Sequence, residues 1–536
     1  VSETYDFIIV GAGSAGCALA ARLSEDGKYS VLLLEAGGSD RRFLVQMPLG
    51  YGKVYYDRRV NWKYETEPIP ALDGARSYWP RGKVLGGSSS INAMVYVRGH
   101  PGDYDGWGVP GWNWDALAPV FRRMEDWQGA GDDPARGRGG PLSVTDTTGA
   151  VHPLCDTYLD AAREAGLGVA ADYNGASMEG AALYQITTKD GWRASAAKSY
   201  LRPAARRSNL RVITRAHVER VEIAEGRATG VRYRRGGIVR VAHARREVVL
   251  CGGAVNSPQL LMLSGIGPGA VLSRHGIDIH ADRAEVGANM QDHLGYDHLY
   301  RATVPTMNQM LGPWYGKLRE GLRFLLTRKG PLSLSLNHAG GFVTLDAASA
   351  GPDIQLYFSP VSYTRAPVGT RPLMSPDPFP GFLLGFSPCR PTSRGYLTLR
   401  PDDPAGAPEI HPNYLDTEHD RALMIAGTRL IRRLAQTVAL SGVIDARIIP
   451  DADDDGDAAI LSHVRKAAWT VFHPCGTCRM GTDEDAVVDE RLRVRGVAGL
   501  RVADASVFPA VPSGNTNAPA IMVGERASDL ILEDAR

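Results

Sequence analysis

Phe7-Ile8-Ile9-Val10-Gly11-Ala12-Gly13-Ser14-Ala15-Gly16 is followed by a helical stretch and then by Val31-Leu32-Leu33-Leu34-Glu35. The order strand, tight turn, helix, strand, acid is that of one nucleotide-binding half of a doubly wound α/β sheet. Gly11 permits the sharp turn, Gly13 a close backbone approach to a pyrophosphate, and Gly16 a close contact of helix on strand. The first N–H groups of that helix lack internal partners and suit a phosphate. Glu35 ends the second strand where a ribose hydroxyl needs an acceptor. The ligand is therefore an adenine dinucleotide, and the fingerprint fits NAD and FAD alike.

The 536 residues are 44% hydrophobic and 22% charged, which supplies a large core for more than one domain. Lys and Arg (60) nearly cancel Asp and Glu (59), so no global field favours nucleic acid or an anionic surface. Small-molecule partners are expected. No apolar run approaches the roughly 20 residues needed to span a bilayer. Residues 1–6 carry no basic stretch ahead of an apolar one, and the six cysteines are too sparse for a disulfide framework. These features point to the cytoplasm. Cys475-Gly476-Thr477-Cys478 has no second Cys pair at zinc spacing, so no metal is expected.

From Asn209 to Cys251, short alternating runs read as a β-meander. Gly252 and Gly253 then lead into a second helix, for which Ser257 is the expected N-cap and Pro258 the first residue. Between about 300 and 450, runs such as Ile354-Gln355-Leu356-Tyr357-Phe358 predict a separate antiparallel, substrate-facing domain. The run Val494 to Ala505, read as an apolar strand ending in the acid Asp504, returns to the nucleotide-fold texture. A last helix follows with Asn517 as its expected cap and Pro519 in its first turn.

Four blocks along the chain carry a resemblance. They are the fingerprint with Glu35, the run Gly82 to Asn92 (GKVLGGSSSIN), the run Gly253 to Gly267 (GAVNSPQLLMLSGIG), and His473-Pro474-Cys475-Gly476-Thr477 with Asn515-Thr516-Asn517; a weaker fifth is Val286 to His293. In this order, over essentially the whole chain, they resemble the glucose–methanol–choline (GMC) family of FAD-dependent oxidoreductases, of the alcohol oxidase or choline dehydrogenase type. The resemblance selects FAD. It implies a Rossmann-like FAD-binding domain with an inserted α+β substrate-binding domain on an antiparallel sheet. The expected division is 1–155, 206–300 and 463–536 for FAD, and 156–205 and 301–462 for substrate.

Carried onto this chain, the resemblance places Gly11, Gly13, Ala15 and Gly16 at the pyrophosphate, Glu35 and Ala36 at the adenosine ribose, and Val218 beside the adenine. Gly86, Gly87, Asn92, Ala93, Met94 and Val95 would follow the isoalloxazine, with Arg81 a further cofactor contact. Asp504 and Ala505 would lie near the phosphate and ribityl chain. Ile91 stands where members with covalently bound flavin can carry a histidine, so FAD is expected to be non-covalent. His473 matches the family's base, a role that imidazole, with its unperturbed pKa of about 6.5, suits near neutrality. Asn515 matches the second catalytic position, and Asn517 is the runner-up, otherwise a helix cap and cofactor neighbour.

The implied reaction is oxidation of a primary alcohol to the aldehyde by hydride transfer to flavin N5, with O2 reduced to H2O2. The alternatives are a dehydrogenase with another electron acceptor, a lyase on the same fold, and a flavin-binding protein without turnover. Phe472, His338, Tyr357 and Phe386 are candidate pocket residues, with Trp314, Phe358 and Tyr363 as further aromatics; they suit an aromatic or heteroaromatic methanol. Choline would need an acid beside an aromatic cage. Between 300 and 345 the only acid is Glu320, expected on the solvated face of an amphipathic helix from Tyr315 to Leu326. The oligomeric state is not encoded.

Overall fold

The N-terminal apolar run becomes the middle strand of a parallel sheet. Strand Glu3–Val10 lies between Val31–Glu35 and the long strand Ile238–Leu250, with Leu210–Thr214 beyond Val31–Glu35. Phe7 to Val10 and Val31 to Leu34 are buried, as unbroken apolar strands covered on both faces should be. Val248 to Leu250 pair in parallel with Leu500–Val502 from near the other end of the chain. The first half of the same long strand pairs antiparallel with Arg227–Arg235, which pairs with His217–Ala224. The computed structural model describes residues 3–131, 133–363, 375–401, 403, 405–451 and 454–536.

A second sheet is antiparallel, in the order Ile444–Ile449, Leu294–Ala302, Gly381–Pro388, Ile354–Ser359, Ala339–Val343 and Gly180–Leu183. The fold is thus the expected FAD-type α/β domain with an antiparallel insertion. Strand Leu294–Ala302 crosses the expected domain boundary at 300. Among the described residues no helix is long and apolar enough to cross a membrane, and all six cysteines are free and buried.

Four local expectations are corrected. Leu210–Thr214 is a parallel edge strand on Val31–Glu35, so the meander holds only for His217 to about Ala242; alternation alone does not distinguish a parallel edge from a hairpin. The second helix starts at Gly253, which places Ser257 and Pro258 inside it. The Ser257 hydroxyl reaches back to accept from Gly252 N–H at 2.9 Å and donates to Asp504. The last helix, Asn517–Asp534, has Thr516 at its N-cap, and Asn517 Oδ1 instead accepts from the Ser14 hydroxyl at 2.8 Å. Glu320 is buried, 2% exposed, and paired with Arg319 and Arg323.

His298, on strand Leu294–Ala302, supplies a test of this packing. It is fully buried, its Nδ1 lies 3.3 Å from the Tyr300 hydroxyl, and burial, helped by Arg432, Arg447 and His463, pushes it down to about 3. In the unfolded chain it titrates near 6.5, so below that pH the unfolded state binds the extra proton and stability falls with pH. A leucine there removes this dependence. The stability difference between His298→Leu and wild type should shift in the variant's favour by about 2 kcal/mol between pH 7.5 and 5. Chemical denaturation at the two pH values measures it, and a pH-independent difference would contradict a neutral buried His298.

Candidate active site

A cavity of about 860 Å³ runs from the fingerprint turn to the antiparallel sheet. Three helix N-termini open on it, contributing Gly13, Ser14 and Ala15, then Gly252, Gly253 and Ala254, then Thr516 and Asn517. Their partial positive charge makes this end suited to a diphosphate. The glycines allow the close approach: a Cβ on Gly11 (φ +103°) would sit 2.4 Å from the Cys251 carbonyl oxygen, and one on Gly87 2.7 Å from Gly13 Cα. Gly86 N–H donates to the Ala12 carbonyl at 2.7 Å, so the Gly-Gly block packs directly on the fingerprint turn.

Of the expected cofactor residues, Gly11, Gly13, Ala15, Glu35, Ala36, Arg81, Gly87, Asn92, Ala93, Met94, Val95, Val218, Asp504, Ala505 and Asn517 line the cavity. Gly16 and Gly86 stand behind it; a Cβ on Gly16 would meet the Gly11 carbonyl oxygen at 2.0 Å, so this glycine serves the helix contact. Glu35 accepts from Ala12 N–H at 2.9 Å and Gly37 N–H at 2.7 Å, while burial pushes its carboxyl up to about 7. Asp504 accepts from the N–H groups of Gly253 and Ser506, both at 2.8 Å, and so joins the last strand to the second helix.

His473 and Asn515, 42 positions apart in the chain, meet at the far end: Asn515 Nδ2 lies 3.1 Å from His473 Nε2. The proton positions follow from the partners. The Cys389 carbonyl can only accept, so His293 donates to it from Nε2 (2.9 Å) and its Nδ1 carries the lone pair. His473 Nδ1–H donates to that lone pair at 2.9 Å, leaving His473 Nε2 as the free base, with Asn515 donating towards it. Gln355 Nε2–H donates to Asn515 Oδ1 at 3.1 Å, and the Tyr357 hydroxyl donates to Gln355 Oε1 at 2.8 Å, which fixes both amides.

The backbone carrying His473 is also fixed. Phe472 has φ +67°, a conformation costing a non-glycine residue roughly 1–2 kcal/mol. The turn is held by Arg81 donating to the Phe472 carbonyl at 2.7 Å and by Asp292 accepting from His473 N–H at 2.7 Å. Asp292 also accepts from the Thr470 and Tyr414 hydroxyls. Burial, with His293 and Arg81 adding to it, keeps His473 well below the ordinary imidazole range, so it stands as the neutral base.

Phe472 and Tyr357 line the substrate end, with Tyr363, Tyr51, Tyr55, Trp469, Leu336 and Leu383. Phe386 does not: it alternates with Leu383 across the strand and its ring faces the other side, against Tyr296 at 6.3 Å and Gly427. His338 is a core residue, accepting from His152 N–H at 3.1 Å, while its chain neighbours Leu336 and Asn337 reach the cavity. Phe358 stacks on Tyr158, and Trp314 is 76% exposed.

Residues to which the sequence assigns no role include His293 and the Asp292 hub, both within the Val286 to His293 block, and Arg193, which is fully buried and donates to the Asn92 carbonyl and side-chain oxygens, both at 2.8 Å. Asp297 also lines the cavity. It lies just before the 300–345 stretch in which Glu320 is the only acid. Among the described residues no group of three His, Cys, Asp or Glu could hold a metal ion.

The glycine cradle, the three helix N-termini and the Glu35 carboxyl fit a dinucleotide cofactor, and Ile91 lines the cavity with no nucleophile of its own. Comparison with known proteins agrees. Residues 5–295 and 391–524 match the N-terminal and C-terminal models of the GMC oxidoreductase family. An oxygen-dependent choline dehydrogenase of Vibrio vulnificus is 42% identical over 542 residues, covering 99% of this chain and 95% of that protein. A crystal structure of pyridoxine 4-oxidase from Mesorbium loti is 31% identical with a TM-score of 0.87, covering 98% of this chain and 99% of that one. A formate oxidase variant from Aspergillus oryzae is 27% identical with a TM-score of 0.91, covering 99% of each.

Proposed function

This chain belongs to the GMC family of FAD-dependent oxidoreductases acting on CH–OH donors, and on that premise we propose that it oxidises a primary alcohol of the aromatic or heteroaromatic methanol type to the aldehyde. The observation that carries the reading is His473 Nε2, held as a free base between Asn515 and His293 beside a wall of aromatic and aliphatic side chains. As substrate enters, Asn515 shifts its donated hydrogen bond from His473 Nε2 to the substrate oxygen, which leaves that nitrogen to take the hydroxyl proton while Asn515 stabilises the alkoxide as it develops. An asparagine cannot compete as base, so proton removal falls to His473 alone. Bound FAD supplies the hydride acceptor. The alcohol thus loses a proton and a hydride, and O2 takes up the two electrons as H2O2.

Tyr51, Tyr55, Tyr363, Trp469 and Phe472 favour a flat, apolar alcohol, and the pyridoxine 4-oxidase relative bears the name of a hydroxymethyl-pyridine substrate. Asp297 favours a second reading, a cationic alcohol such as choline, held by a carboxylate among aromatic rings. The test is steady-state turnover with benzyl alcohol, pyridoxine and choline, following peroxide under O2 and dye reduction without it. The proposal expects peroxide and a kcat/KM at least tenfold higher for an aryl methanol than for choline. The reverse order would establish the cationic reading, and dye reduction without peroxide would replace the oxidase by a dehydrogenase.

Ile91 offers the flavin no attachment point, so we also propose that FAD is held non-covalently. Acid precipitation of the holoenzyme should release all yellow flavin to the supernatant; colour retained in the pellet would contradict this.

A further inference from the structure

Helix Trp314–Thr327 carries its apolar side outward. Only Gly316, Glu320 and Phe324 are buried beneath it. Trp314 is 76% exposed and Leu326 82%, and Tyr315, Leu318, Leu322 and Leu325 are also exposed. At 3.6 residues per turn these six side chains fall within an arc of roughly 120°. A soluble helix is expected to turn such an arc inward. Exposed Lys317, Arg319 and Arg323 flank it, and the helix's one acid, Glu320, lies underneath.

A second feature joins this face. Phe324 meets Phe43 at 6.3 Å and Trp192 at 5.1 Å, and Phe43 is itself half exposed. Immediately before Phe43, Arg41 and Arg42 line a separate cleft with Arg58, Arg59, Lys83 and Arg215. Arg59 is matched by Asp57 at 2.8 Å, and Asp40 is taken by Arg202 from outside the cleft at 2.9 Å, so the cleft keeps more cations than acids. The outward apolar helix is thus flanked by Lys317, Arg319 and Arg323, and Arg41 and Arg42 adjoin it in the chain through Phe43, on a protein whose net charge is only +1.

We propose that this face rests on an anionic lipid bilayer, with Trp314, Tyr315, Leu318, Leu322, Leu325 and Leu326 entering the headgroup boundary and the flanking Lys and Arg side chains meeting lipid phosphates. Charge selects the bilayer over a second copy of the chain. Lys317, Arg319 and Arg323 outnumber the single acid, Glu320, which pairs with the two arginines, so the helix keeps a net positive charge that anionic headgroups complement and a second, equally cationic copy of the helix does not. The helix lies in the interface and does not cross it.

The test is sedimentation of the holoenzyme with vesicles of phosphatidylcholine alone or with one third phosphatidylglycerol. Binding is expected only to the anionic vesicles and should fall by at least about tenfold in 0.5 M salt. Leu318→Asp with Leu322→Asp should abolish it, and Lys317→Glu with Arg41→Glu should weaken it strongly, while bound FAD and turnover in solution stay at the wild-type level. No binding to anionic vesicles, or undiminished binding by the double aspartate variant, would overturn the proposal. So would a wild-type dimer in light scattering that the aspartate variant converts to monomer, since the face would then belong to a second copy.

Discussion

Replacing His473 by alanine is expected to lower kcat by about 10²- to 10⁴-fold while FAD remains bound. That loss corresponds to about 3–5 kcal/mol of transition-state stabilisation. It follows from the proton count at this corner: His293 is committed to the Cys389 carbonyl through one ring nitrogen and accepts from His473 through the other, so it has no lone pair for substrate. Asn515 has no basic atom. No neighbour can take over the proton. Asn515→Ala should cost less than His473→Ala, since it removes a donor to the alkoxide and leaves the base. Purified variants are compared by flavin absorbance for occupancy and by turnover for chemistry. Full turnover in His473→Ala would remove it from the proton-transfer role.

Gly11→Ala is expected to destroy the cofactor site together with the fold around it. The alanine Cβ would lie 2.4 Å from the Cys251 carbonyl oxygen and 2.8 Å from its carbon, at φ +103°. Neither backbone can yield, because Gly11 N–H donates to the Leu34 carbonyl at 2.8 Å and Cys251 N–H to the Val10 carbonyl at 2.7 Å. The cost is at least about 3 kcal/mol, before any loss of bound FAD is counted. Gly13→Ala makes the contrast. Its Cβ would stand 3.8 Å from the Cys251 oxygen, an ordinary contact, and would point into the cavity where a phosphate is expected. Gly13→Ala should therefore keep the stability of the FAD-free protein and weaken FAD binding, whereas Gly11→Ala should lose both. Denaturation and FAD titration of the two variants separate them; equal stability would show that the turn is not so tightly packed.

What could be read from sequence was local. The glycine spacing after Val10 and the acid at Glu35 are consequences of one turn and one strand length, and both stand where the motif placed them. His473 and Asn515 were legible because each sits in a compact motif. The contacts that define their chemistry were not, because they depend on strands far away in the chain: His293 and Asp292, at the end of the weaker fifth block, stand before one strand of the second sheet, and Gln355 and Tyr357, the latter expected only as a pocket aromatic, lie on another. Arg193 has no motif around it, and its value lies in carbonyl groups that only the fold gathers. Phe386 failed as a pocket residue through strand parity, which composition does not reveal without a register. Glu320 failed because the helix was assumed to follow the usual inward-apolar rule, and the tertiary packing of Phe324 against Phe43 and Trp192 overrides it. Asp297 precedes the 300–345 stretch by three positions, on the strand Leu294–Ala302 that crosses the expected domain boundary.

The central claim is that this protein removes a hydride and a proton from an alcohol, with His473 receiving the proton. Rapid anaerobic mixing of the holoenzyme with benzyl alcohol and with its α-dideuterated form tests it most directly, following the flavin absorbance. The expected result is bleaching that yields benzaldehyde, slowed by a primary isotope effect on deuteration and slowed by about 10²-fold or more in His473→Ala. An absorbance unchanged by benzyl alcohol, pyridoxine and choline, with the flavin fully bound, would contradict it.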